Sequence, residues 1–117
     1  MMGAYLHIAA LVAGIWAIAN GVLHDAFVLG QHKGAYDREL LRLLMDGHVL
    51  ITCGAVYIVS FFLLRQGNSL GAWLCIVSAA SLVVYCAMIF PFLKSFGTLA
   101  INGAVLVMAL ARLLSKG

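Results

Sequence analysis

Residues 24–48, HDAFVLGQHKGAYDRELLRLLMDGH, contain most of the side chains of this chain that could do chemistry. Three of the four histidines and all four acidic residues of the 117-residue sequence lie in this stretch. Imidazoles and carboxylates bind metals, exchange protons and hold polar ligands. The stretch therefore raises three hypotheses: a cofactor site, a proton relay, and a polar collar at a membrane surface that binds nothing.

The cofactor hypothesis rests on His24 and His48. Two histidines at one depth on adjacent helices could ligate a haem b iron or, together with a carboxylate, a divalent metal. Such a haem would be bound non-covalently, because the sequence has no CxxCH motif. The Glu-x-x-His pairs of di-iron bundles and the HExxH motif of zinc peptidases are also absent from the sequence.

The proton-relay hypothesis describes a small-solute or proton-coupled transporter that uses Asp25 and Asp46. A carboxylate beside a histidine can pass protons within a membrane. This hypothesis ranks below the others because no acidic residue lies in the middle of an apolar segment. Nucleophilic catalysis is not expected either, since no serine or cysteine accompanies a base in the polar stretch.

The composition indicates that these polar groups belong to a membrane protein. Hydrophobic residues make up 65 % of the chain and charged residues 9 %, and the mean hydropathy is +1.10. Soluble domains have about 25 % charged residues, and one of this size could not bury so much apolar surface. The expected surroundings are a lipid bilayer, in a bacterial inner (cytoplasmic) membrane. The seven scattered Lys and Arg residues form no basic run, so no nucleic-acid partner is expected.

Four apolar segments predict an all-α fold in which four antiparallel transmembrane helices form an up-down bundle. The single domain 1–117 is divided into approximate helices at 4–29, 37–64, 70–93 and 96–114. Each is close to the roughly 20 residues that span a hydrocarbon core. The short connections require that consecutive helices be antiparallel neighbours. The first segment lacks the basic start and the cleavage site of a signal peptide, so it is predicted to remain as a helix.

This topology predicts that polar side chains from all four helices converge at one end of the bundle, here called side X, which contains the loops after the first and third helices. The candidate ligand or cofactor residues are His24, Asp25, Arg42, Asp46, His48, Tyr85 and Asn102. Arg42 and Asp46 can pair because they lie one helical turn apart. Positive charges balance on the two sides, so the membrane orientation stays open.

The second helix contributes two residues of this cluster that are expected to lie partly within the membrane. Its apolar part, 49–64, is shorter than a full span, which draws Asp46 and His48 partly into the membrane. These two residues lie about 200° apart on an ideal helix, so only one of them can face the bundle axis. His32 and Asp37 are expected in a solvated loop, with Asp37 as the N-cap of the second helix.

The first helix carries a stripe of small residues that predicts a packing seam. The seam comprises His7, Ala10, Gly14, Ala17 and Gly21. Small residues allow the backbones of membrane helices to approach closely. A second interpretation is that the seam also turns histidines inward at both ends of this helix. The three cysteines fall within apolar segments without CxxC spacing, which is typical of small core residues.

These features favour a small non-catalytic integral membrane protein that acts by association. It would be a homo-oligomer or an accessory subunit of a larger membrane complex, since the chain has a helix-packing seam and no soluble domain. The haem or metal site at His24 and His48 and the transporter remain the alternatives.

The order of elements also resembles a family of small four-helix membrane proteins of unknown function, which includes a bacterial inner-membrane protein and a short human transmembrane protein. The matching positions are Gly21, His24, Ala35, Tyr36, Arg38, Glu39, Leu40 and His48, together with TLAINGAVLVMAL in the last helix. The family's Pro-x-Gly-Gly at the start of the last helix is replaced here by Ala100-Ile101-Asn102-Gly103. The resemblance implies a four-helix topology and no particular chemistry.

Overall fold

The protein is all-helical. A computed structural model describes residues 5–91 and 96–116, without the side chains of residues 115 and 116. The helices are α1 (Leu6–Gln31), α2 (Arg38–Arg65), α3 (Leu70–Ile89) and α4 (Phe96–Lys116). Each is long and apolar enough to cross a membrane, which confirms the prediction of four such helices.

Capping hydrogen bonds and backbone conformation determine where the helices begin and end. Asp37 accepts a hydrogen bond from the Leu40 backbone N–H at 2.9 Å, which confirms it as the N-cap of α2. Gly67 follows α2 with φ +78°, a backbone conformation that only glycine adopts without strain. At the far end of α3, residues 90 and 91 form a turn. The third helix was expected to reach residue 93, and residues 92 and 93 lie outside the described part of the chain.

Helices α1 and α2 share the most extensive contact in the molecule, and α1 and α3 each also pack against α4. Two glycine pairs bring the backbones of α1 and α2 together. A Cβ on Gly21 would lie 2.5 Å from the carbonyl oxygen of Gly47, and one on Gly54 would lie 2.8 Å from that of Gly14. A step of seven residues forward on α1 therefore corresponds to a step of seven back on α2.

The small residues of α1 account for this close contact. Ala10, Gly14, Ala17 and Gly21 are buried, while His7 is only half-buried and stacks on Phe61 with ring centroids 6.2 Å apart. Bulky side chains on this face would hold the helices apart, since ordinary helix pairs pack 8–10 Å apart. The seam of α1 thus lies against α2.

Most of the remaining helix surface is apolar and uncovered. In the most apolar segments of α1, α2 and α3, 28 to 33 % of the residues are buried, and in that of α4 only 17 %. Within the core, Cys75 and Cys86 are buried and Cys53 is half-buried, and all three are free thiols. An exposed apolar surface of this extent on every helix fits lipid as its surroundings.

Candidate functional site

Asp25, near the C-terminal end of α1, lies directly against the backbone of Gly47 on α2. An added Cβ at position 47 would collide with the Asp25 carboxylate, so this position of the carboxylate depends on glycine. The Asp25 Oδ1 atom is buried and has no hydrogen-bond partner in the described part of the chain. An unpartnered buried carboxylate oxygen is unfavourable unless a proton, ion or water satisfies it.

Tyr85 of α3 completes a small polar cluster with Asp25 and Asp46. Its hydroxyl lies within electrostatic range of the Asp46 carboxylate and, more weakly, of the Asp25 carboxylate. All three side chains are half-buried. The structure therefore brings together three of the residues predicted for side X, one from each of three helices. We refer to Asp25, Asp46 and Tyr85 as the carboxylate–tyrosine cluster.

The two histidines proposed as ligands bind different local partners. His24 Nε2 donates a hydrogen bond to the Leu43 carbonyl oxygen at 3.0 Å, which leaves its Nδ1 as the free ring nitrogen. His48 is exposed, and its Nε2 lies 3.4 Å from the Thr52 hydroxyl. Among the described residues there is no group of three or more His, Cys, Asp or Glu side chains that could hold a metal ion. The haem and metal hypotheses therefore stay predictions from the sequence.

His32 lies outside the cluster, whereas Asp46 also lines a groove at the start of α2. The His32 Nε2 donates to the Ala35 carbonyl oxygen at 3.0 Å, within the loop between α1 and α2. The first turns of α2 form an open groove of about 570 Å³. The residues that line this groove are Arg38, Glu39, Arg42, Leu43 and Asp46. Arg42 and Asp46 thus share one surface, but no ion pair within 4.0 Å joins them.

Asn102 has a different environment from the one its sequence position suggests. Its side chain is buried, with 1 % of its surface exposed, and its Oδ1 accepts a hydrogen bond from the Tyr57 hydroxyl of α2. The Asn102 Nδ2 donates to the Thr98 carbonyl oxygen at 2.8 Å, and the Trp16 indole N–H donates to the Thr98 hydroxyl at 3.0 Å. These bonds link α1, α2 and α4, so they hold the bundle together.

Tyr57 is a buried polar residue that the sequence pattern did not single out. It is fully buried in the centre of the apolar part of α2. A buried hydroxyl needs a hydrogen-bond partner. The Tyr57 phenol and the Asn102 amide, each in a largely apolar segment, were therefore the signal in the sequence that could have predicted this pair.

Comparison of the chain with models of known protein families, with curated protein sequences and with solved structures finds no match. The resemblance to the four-helix family of unknown function therefore stays a prediction.

Proposed function

We propose that this chain is an integral membrane protein whose four helices cross a bacterial inner membrane as an antiparallel up-down bundle, and that it acts by association. It would form a homo-oligomer or an accessory subunit of a larger membrane complex. The observation that supports association is the outward surface of α4.

One side of α4 presents small side chains to the surroundings. This α4 face comprises the small residues Ala100, Gly103, Ala104 and Ala111 together with the larger Val107, and ideal helical geometry places all five within an arc of about 100°. Residues 100, 104 and 107 are exposed, and the other two are half-buried. A Cβ added at Gly103 would meet no atom within 4 Å. The opposite side of α4 packs inward through Asn102, Val105 and Ala109.

A small-residue face of this kind favours contact with another helix over contact with lipid. Lipid tails are as apolar as leucine, so membrane helices gain from association chiefly where small residues allow close packing. Along α1, small residues of this kind are covered by α2. Along α4 no described residue comes within 4 Å of a Cβ added at Gly103, and α4 has the smallest buried share of the four helices.

Photo-crosslinking in native membranes tests this proposal. A benzoylphenylalanine at position 104 is expected to give a discrete adduct, either at twice the mass of the chain or with one other membrane protein. The first result indicates a homo-oligomer and the second an accessory subunit. The matched control is position 84, where Val84 of α3 is 57 % exposed. Equal labelling at the two positions, or no adduct at either, would contradict association through α4.

Gly103→Leu is expected to weaken this association by about fivefold to a hundredfold, because overpacking a close contact costs about 1–3 kcal/mol. The measurement is the equilibrium between monomer and oligomer by energy transfer in liposomes. Gly30→Leu on α1 is the matched control, because its added Cβ also meets nothing within 4 Å. A weakening of the same size in both variants would show that the α4 face has no special role.

A proton-coupled or small-solute transporter is the second candidate, and the unpartnered Asp25 Oδ1 in the carboxylate–tyrosine cluster favours it. Asp46→Asn is expected to abolish pH-dependent uptake into proteoliposomes, because an amide cannot exchange a proton at that site. Asp37→Asn is the control, since asparagine also caps helices well. Uptake that is unchanged in Asp46→Asn would remove this candidate.

A further inference from the structure

We propose that the open groove on the first turns of α2 binds a zwitterionic lipid headgroup that carries a phosphate and a primary ammonium group, as phosphoethanolamine lipids do. This inference rests on the proposed insertion of α2 in a bilayer. It is independent of whether the chain associates through α4.

The groove offers charges of both signs to one ligand. Arg38 and Arg42 contribute guanidinium groups, and Glu39 and Asp46 contribute carboxylates. Neither arginine forms an ion pair within 4.0 Å in the part of the chain that the structure describes. Both cationic side chains are exposed, so they are available to a ligand.

The spacing of these charges fits such a headgroup. Glu39 and Arg42 are three residues apart, which is about 4.5 Å along a helix, and Glu39 is the nearer of the two to water. The phosphate and the ammonium of phosphoethanolamine are joined by a two-carbon link and can therefore reach one charge each. Guanidinium groups bind phosphate through paired hydrogen bonds, and an ammonium group donates three hydrogen bonds to carboxylates.

The position of the groove identifies the ligand as a lipid. The apolar part of α2 starts at residue 49, directly after the groove, so the groove lies at the level of the headgroups in an inserted helix. Val49 and Cys53 lie on the same face of α2, one and two turns deeper, and are half-buried. They provide an apolar surface for the start of the acyl chains.

This arrangement distinguishes among phospholipids. A choline headgroup has the phosphate but no N–H to donate to Glu39 or Asp46. A glycerol headgroup has the phosphate and no positive charge. We therefore expect the two arginines to determine affinity for every phospholipid, and the two carboxylates to determine the preference for the ammonium.

Native mass spectrometry of the full chain tests the proposal by titration with dioleoyl phosphatidylethanolamine, phosphatidylcholine and phosphatidylglycerol. The ethanolamine lipid is expected to bind about tenfold more tightly than the other two, which corresponds to one charge-assisted hydrogen bond. Arg42→Gln is expected to weaken all three lipids. Glu39→Gln and Asp46→Asn are each expected to remove the preference and to leave phosphatidylglycerol binding intact or stronger.

Two controls make the result decisive. Arg65→Gln changes the exposed arginine at the other end of α2 and is expected to leave the preference unchanged. Glycerophosphoethanolamine, which has the headgroup without acyl chains, is expected to bind much more weakly than the lipid. Equal binding of the three lipids, or an equal effect of Arg65→Gln and Arg42→Gln, would overturn the site. Equal binding of glycerophosphoethanolamine would overturn the assignment to a lipid.

Discussion

Gly21→Ala is expected to lower the free energy of unfolding by about 3 kcal/mol, the upper part of the usual range for overpacking. The new Cβ would lie 2.5 Å from the Gly47 carbonyl oxygen and 2.7 Å from Ile51 Cγ1. The first of these atoms belongs to the backbone, so it can move only if α2 as a whole moves away. The measurement is reversible unfolding of the purified protein in mixed micelles.

The control for this prediction is Gly30→Ala, which makes the same chemical change near the end of the same helix. Its Cβ would meet nothing within 4 Å, and alanine favours helix by roughly 0.5–1 kcal/mol over glycine. We expect no loss of stability and a small gain at most. If both variants were equally stable, α1 and α2 could not be in the close contact described here.

Asn102→Leu is expected to lower the free energy of unfolding by about 2 kcal/mol. Leucine has the same number and branching of side-chain heavy atoms as asparagine, so the change leaves no cavity. It removes the acceptor of the buried Tyr57 hydroxyl and leaves that hydroxyl without a partner inside the bundle. The same unfolding assay measures the effect, and α4 is expected to separate from α2 earlier than in the unmodified chain.

A double-mutant cycle with Tyr57→Phe distinguishes a hydrogen bond from simple packing. Each single change leaves one buried polar group unsatisfied, whereas the double change removes both partners. The double variant is therefore expected to lose less stability than the sum of the two single losses. Losses that add fully would contradict a direct bond between Tyr57 and Asn102.

The sequence predicts the helices of this protein well, because long apolar segments with polar ends have one stable arrangement in lipid. The carboxyl of Asp37 marks the start of α2 from its position alone, and the structure confirms it. The small residues of α1 likewise indicate where another helix can approach. These properties depend on local spacing, which the sequence displays directly.

The partners of the polar residues are harder to predict, because they depend on how each helix rotates and slides against its neighbours. The hydrogen bond between Tyr57 and Asn102 joins positions on α2 and α4 that no helical period relates. Likewise, the contact of Asp25 with Gly47 depends on the register of α1 against α2. Sequence spacing can show that two side chains lie at the same level of the bundle, but the packing of the helices determines whether they come into contact.

Association in the membrane is the central claim of this account. The most direct test is to count the copies of the chain, and any copurifying protein, in particles extracted from native membranes by a styrene–maleic acid polymer. We expect at least two copies, or one copy with a stoichiometric membrane partner, and a shift toward single chains in Gly103→Leu. A single 12.5 kDa chain with no companion in every particle would contradict the claim.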